Sequence, residues 1–361
     1  FPGNSLSEMD SLVRQVFLAF EERGVTDNDI EKYKASFESE IIHSLSSVKG
    51  KGAMLAAYQT FTQNPNYLKT EIEQYMGVTK EDVMRVYNTY IKNKHAVILS
   101  VVPKGDSLNV AAPNNFVLPH RDTIAEEAAE YKNLTYQRIK DTLNRFVKPV
   151  APAAPLVRPP AYWTHKFDNG LEVIGAKNKE VPSVAIQINI AAGHRYEALN
   201  KIGTAELLAS LLNESTKKYT VEQLDELLEG LGSSVSVGHY GEDIVLYVNS
   251  LTKNIDATLA IAEQVLFYPR FDKEEFERVK KLQLAAIENR VTKAPEIARN
   301  VYAKLLYGPG HIMGEPLLGN AESLEQISLK DVKKYYQTRF SPTVSSVVIV
   351  GDIDKDSVLA K

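Results

Sequence analysis

The chain has 361 residues, enough for about two domains. Its apolar (44%) and charged (24%) fractions are those of a globular protein, and a net charge of −4 gives no electrostatic reason to expect nucleic acid or an anionic membrane as partner. It has no cysteine, which excludes disulfides, thiolate catalysis and cysteine-ligated zinc, and no uninterrupted apolar run of about eighteen residues that could span a bilayer.

Phe1-Pro2-Gly3-Asn4 reads as the end of a strand or loop, so the chain is expected to be part of something longer. Residues 6–23 carry apolar side chains at helical spacing, and Gly24 stops them. Thr26-x-x-Asp29 is a capping signal for a second helix, whose apolar stripe runs through Ile30, Tyr33, Phe37, Ile41 and Leu45. A third helical run covers 53–61. Thr79-x-x-Asp82 opens another over 80–91, which leads into the apolar run 96–102, predicted to be a buried strand ended by Pro103. Residues 104–162 differ in character: polar and proline-containing to 123, an amphipathic helix over 124–147, then a proline-rich extended spacer around Pro149–Pro160. The domain boundary is placed there. The expected organisation is therefore 1–105 as the end of one unit, 106–162 as linker, and 163–361 as a second unit.

The second unit opens on a hairpin around Asp168-Asn169-Gly170. A strand with one buried face follows at 184–190, then an apolar helix over about 202–213. Thr220-x-x-Gln223 caps the next helix, and 233–250 alternates as a second hairpin. Helices are expected at 253–268, 272–292, 295–307 and 329–339, with a last strand at 345–350. Two segments repeat. Thr79–Ile91 matches Ser328–Phe340, with 249 residues between Asp82 and Asp331; 30–45 parallels 276–291, with 246 residues between Ile30 and Phe276. Each copy of the first pair precedes an apolar strand-like run, so the chain is read as built from similar α+β units.

The helix at 202–213 has a second interest. A helix with histidines four apart and a glutamate three after the first can hold zinc and supply a general base. Here those places hold Glu206, Ala209 and Ser210. Glu206 is read as a solvated or paired surface carboxylate. His194, His239 and His311 lie near turns, where a lone histidine is usually a hydrogen-bonded surface residue. Tyr335 and Tyr336, with Tyr87 and Tyr90, fit either packing or a peptide-binding surface.

The order of several stretches makes the second unit resemble the insulinase/pitrilysin (M16) family of zinc metallopeptidases with the inverted His-x-x-Glu-His motif. These are Asn169–Val173, Ile190–Glu197, Gly203–Ala205, Leu224–Gly232, Phe271–Arg278, Gly310–Gly319 and Val350–Asp352. The resemblance implies a mostly antiparallel sheet covered by helices, in tandem units. It places the motif's two histidines on Glu206 and Ser210, its glutamate on Ala209, and the distal glutamate ligand on Ala286, with a further family glutamate on Val279. Alanine neither coordinates metal nor takes a proton, and catalytic zinc needs about three protein ligands. No catalytic residue, no metal and no cofactor is therefore expected in this unit. What the resemblance further implies is a wall opposite a zinc-bearing half, with the remaining halves of the parent chain and extended or unfolded peptide as partners. It implies zinc in the parent's active half and points to an exported, periplasmic setting. The alternative it leaves open is a structural subunit of the same superfamily, without peptidase activity.

Overall fold

The structure is a computed structural model that describes residues 5–106, 109–116, 135, 144, 146–148, 150, 160–290 and 292–361. Helices α1 (Leu6–Arg23), α2 (Asp27–Ser44), α3 (Val48–Thr62), α4 (Leu68–Met76) and α5 (Lys80–Tyr90) come first. The chain divides into two units, Phe1–Gly24 with Tyr87–Pro159, and Val25–Val86 with Pro160–Lys361.

In the smaller unit α1 starts on a capping box between Ser5 and Glu8 and stops at Gly24, whose φ of 69° suits glycine. Phe20 meets the edge of the Tyr87 ring at 4.9 Å, and the Tyr87 hydroxyl donates to Glu21 at 2.8 Å. The run 96–102 corrects the sequence reading. It forms no strand, and Val97, Ile98, Leu99 and Val101 are exposed. An extended apolar segment becomes a strand only when a neighbour takes its N–H and C=O groups, and among the described residues none does. The helix expected at 124–147 and the proline-rich spacer lie, almost entirely, outside the described residues.

The larger unit is organised by one six-stranded sheet. Its strands are β1 (Trp163–Lys166), β2 (Glu172–Lys177), β3 (Ser183–Ile190), β4 (Ser234–Tyr240), β5 (Asp243–Leu251) and β6 (Ser345–Gly351), in the order β1-β2-β6-β3-β5-β4. Only the β2–β6 pair is parallel. The β1–β2 hairpin turns at Gly170, with φ 91°, as the Asn-Gly step predicts. Period-two alternation sends Val184, Ile186 and Ile190 of β3 to one face. Register sets Ile186 beside Ile349 and Val248, and Ile188 beside Val347 and Leu246, so this face is apolar across its four central strands.

Helices α6 (Thr204–Leu212), α7 (Val221–Leu231), α8 (Ile255–Phe267), α9 (Lys273–Arg290), α10 (Ala294–Tyr307), α11 (Ala321–Glu325), α12 (Leu329–Arg339) and α13 (Lys355–Leu359) complete the unit. Leu207, Leu208 and Leu211 of α6, Val265 of α8, Phe276 and Val279 of α9, and Val332 of α12 close the core over the apolar face. Each such buried side chain contributes about 1.5–3 kcal/mol. The opposite face is half-open and mixed. Ala185 and Val350 are exposed, and Gln187 donates to Asn189 at 2.6 Å, also on this side. α2 packs against α7, where a Cβ on Gly232 (φ 56°) would stand 2.5 Å from the Ala35 carbonyl oxygen. The short helices α4, α11 and α13 are additions to the sequence reading. They are brief, and their stripes are too short to show a period.

Candidate functional site

α6 begins where three stretches converge. Gly203 caps it with φ 99°, a conformation that costs glycine little. Glu197 supplies the anionic partner the helix start favours: one oxygen accepts from the N–H groups of Gly203 (3.0 Å) and Ala205 (2.7 Å). Its other oxygen meets His194 Nδ1 at 2.7 Å, while His194 Nε2 reaches the Ile312 carbonyl at 2.7 Å. Both side chains are buried (2% and 0% exposed). Burial alone would lower the His194 pKa; the Glu197 carboxylate and the Ile312 carbonyl outweigh it and raise the value. The sequence reading of His194 as a surface residue is thus corrected: two acceptors, one on either side of the ring, keep it inside. Tyr335 completes the corner by donating to the carbonyls of Ala192 (2.9 Å) and Gly193 (3.0 Å), and burial with the nearby Glu197 charge pushes its pKa up.

Beyond this corner α6 runs along the edge strand β4. Glu206 is partly exposed and lies 3.2 Å from His239 Nδ1, so it is paired as the sequence suggested. The His239 ring is itself buried, a second correction to the surface reading. Its Nε2 faces the Gly241 carbonyl at 3.1 Å and the His194 N–H at 3.2 Å. Ala209 is 2% exposed and belongs to the core cluster, and Ser210 is half-buried. Ala286 is half-buried on α9, the helix packed against α6. Gln283 of α9 donates to the carbonyls of Gly203 (3.2 Å) and Leu318 (2.8 Å), and Arg278 pairs with Glu214 just past the other end of α6. Among the described residues no group of three or more histidine, cysteine, aspartate or glutamate side chains is placed to hold a metal. Glu206 and His239 are two donors, short of the three that catalytic zinc takes. Tyr336 donates to the Leu266 carbonyl at 2.7 Å, so with Tyr335 it ties helices to core backbone.

An apolar cavity of about 1020 Å³ opens between the sheet's core face and helices α8 and α12, lined among others by Val173, Ile186, Leu246, Leu259 and Phe340. Asp256, Glu263 and Lys361 are the charged groups at it, and Lys361 pairs with Asp256. It lacks a nucleophile beside a base, and Glu206, Ala209, Ser210 and Ala286 do not line it.

The sequence profile described as Insulinase (Peptidase family M16) matches residues 172–310, the stretch that runs from β2 through α6 and the edge strand to just past α10. Residues 172–310 thus resemble the insulinase family. The chain is similar to a probable mitochondrial-processing peptidase subunit beta of Arabidopsis thaliana, 21% identical over 279 residues, covering 75% of this chain and 51% of the relative. A Helicobacter pylori protein named non-peptidase homolog YmxG is 27% identical over 200 residues, covering 55% and 46%. Among solved structures, a peptidase M16 inactive domain from Pseudomonas fluorescens matches with TM-score 0.53 and 24% identity over 55% of this chain and 48% of that one. The first half of the periplasmic protease PqqL from Escherichia coli matches with TM-score 0.50 and 19% identity over 55% and 44%. These likenesses establish the insulinase-type α+β fold for the sheet unit. The chain spans about half the length of the curated relatives it matches. No helix of the described residues is long and apolar enough to cross a membrane. Sequence reasoning found α6, and the positions Glu206, Ala209, Ser210 and Ala286 were assigned through the resemblance alone. It missed the buried His194–Glu197 pair, whose only local sign is that the stretch Gly193–Glu197 is among those that carry the family resemblance.

Proposed function

We propose that the sheet unit is the non-catalytic wall of a two-part zinc metalloendopeptidase of the insulinase family. Residues 1–105 would close a preceding unit of the same kind, 106–162 link the two, and 163–361 form the unit with the altered motif. The observation that carries the reading is the state of α6. The general-base position is Ala209, sealed in the core, and the first-ligand position, Glu206, is engaged by His239. With Ser210 and Ala286 at the remaining ligand positions, nothing there holds zinc or takes a proton from water. The half-open second face of the sheet, with Ala185, Gln187, Asn189 and Val350, supports a role in lining a chamber. Extended or unfolded peptide and the remaining halves of the parent are its partners in this reading, and zinc belongs to the active half. The likeness to a periplasmic protease supports an exported setting.

Purified protein should carry far less than one zinc per chain and should not cleave an unstructured peptide. Stoichiometric zinc, or cleavage abolished by a chelator, would overturn the proposal. A second reading, a structural subunit without peptidase activity in the parent, is favoured by the likeness to a non-peptidase homolog. Assay of the full-length parent separates the two: chelator-sensitive cleavage supports the wall, and its absence the structural subunit.

A further inference from the structure

β4 is an edge of the sheet, and an edge strand ordinarily offers its outer N–H and C=O groups to any extended chain. The two-residue turn Gly241-Glu242 closes on the pair Tyr240–Asp243. Tyr240, Gly238 and Ser236 therefore turn their main-chain groups towards β5, and His239, Val237 and Val235 turn theirs outwards. Val237, the middle of these three, is already occupied. Its N–H donates to Asn213 Oδ1 at 2.8 Å, and its carbonyl accepts from Asn213 Nδ2 at 2.7 Å. The same Nδ2 donates to the Ala209 carbonyl at 2.9 Å, which fixes the amide to the end of α6. One side chain thus reproduces the donor and acceptor that a neighbouring strand would present. Among the described residues, the outward groups of Val235 and His239 meet no protein partner. His239 is half-exposed although its ring is buried, so what it shows to solvent is main chain.

We propose that Asn213 is a built-in plug that closes the β4 edge against strand addition, so that this unit lines a chamber without capturing extended peptide on its own sheet. A peptide adding to an edge draws its affinity from main-chain bonds at every second residue. Here it would meet a rung already filled between two open ones. Asn213 is the C-cap of α6, three residues past Ser210, so the end of the helix that carries Glu206, Ala209 and Ser210 also shuts the edge beside it. The plug rests on the wall reading only in that peptide is at hand. Its test needs neither zinc nor turnover, so its result is separate from the metal and cleavage assays.

The test is fluorescence anisotropy of a labelled, unstructured, valine- and threonine-rich peptide against the purified chain, with hydrogen exchange read at the Val237 amide. In wild type that amide should be protected, and binding should be weak. Asn213→Ala should free it, speed its exchange and tighten peptide binding about tenfold, the worth of one ladder rung. Added peptide should then restore protection. Asn213→Ala combined with Val235→Pro, which removes a neighbouring outward N–H, should return binding to the wild-type level. Should Asn213→Ala fail to fold, Asn213→Asp replaces it: the aspartate sets an oxygen against the Val237 carbonyl and should loosen the plug in the same direction. A folded variant that binds no more tightly than wild type would overturn the proposal, as would wild-type binding that newly protects Val235 and His239.

Discussion

The His194–Glu197 pair makes stability depend on a single proton. Its histidine pKa is raised in the folded state, so its contribution to stability is complete below pH about 6.5, the ordinary histidine value, and is lost as pH rises through the raised value. The melting temperature of wild type should therefore fall over that interval, and His194→Gln, which has no proton to lose, should flatten the profile there. A His194→Gln profile as steep as wild type would place the titration elsewhere. Glu197→Ala should be harsher. It leaves the buried His194 Nδ1 without its acceptor and uncovers two N–H groups at the start of α6, a loss of about 3 kcal/mol by chemical denaturation. Neither role is visible locally. His194 and Glu197 are three apart in sequence, but the groups that hold them inside come from Ile312, Gly203 and Ala205. Asn213 is similar: after an apolar helix it reads as a C-cap, and its strand partner Val237 lies 24 residues on.

Among the elements, α6 depends on a start that only glycine accepts. At φ 99° a Cβ on Gly203 would stand 2.6 Å from the Leu318 carbonyl oxygen, so Gly203→Ala should cost about 1–3 kcal/mol in a denaturant titration. A variant as stable as wild type would mean that this corner yields. Most elements were legible because each carried its own signal. β3 alternates over its length, β1 and β2 flank an Asn-Gly turn, and capping boxes at Thr26, Thr220 and Ser328 mark helix starts where they were expected. The run 96–102 shows the limit of that reading. Its composition matches that of β6, and the helices before both open on the same side-chain cap, Thr79 with Asp82 and Ser328 with Asp331. β6 is a strand because β2 and β3 flank it. Composition records a willingness to pair and says nothing of whether a neighbour is there.

On the scale of the whole molecule, that same run is a highly exposed strand-forming surface among the described residues. Val97 is 99% and Leu99 81% exposed. Such a segment is a template for pairing with another chain, so Val97→Lys with Leu99→Lys should lower any self-association in sedimentation while leaving the melting temperature of the sheet unit unchanged. Undiminished association would exclude the run as its cause. The strand order carries a different consequence, for how the protein is made. β2 touches only β1 and β6, whereas β3, β5 and β4 are joined without it. A ribosome releases β6 after all the others, so during synthesis the first hairpin waits with nothing to lean on while the meander assembles separately. The keystone arrives last, and a nascent chain arrested before Ser345 should hold two disconnected pieces of sheet that a protease can tell apart.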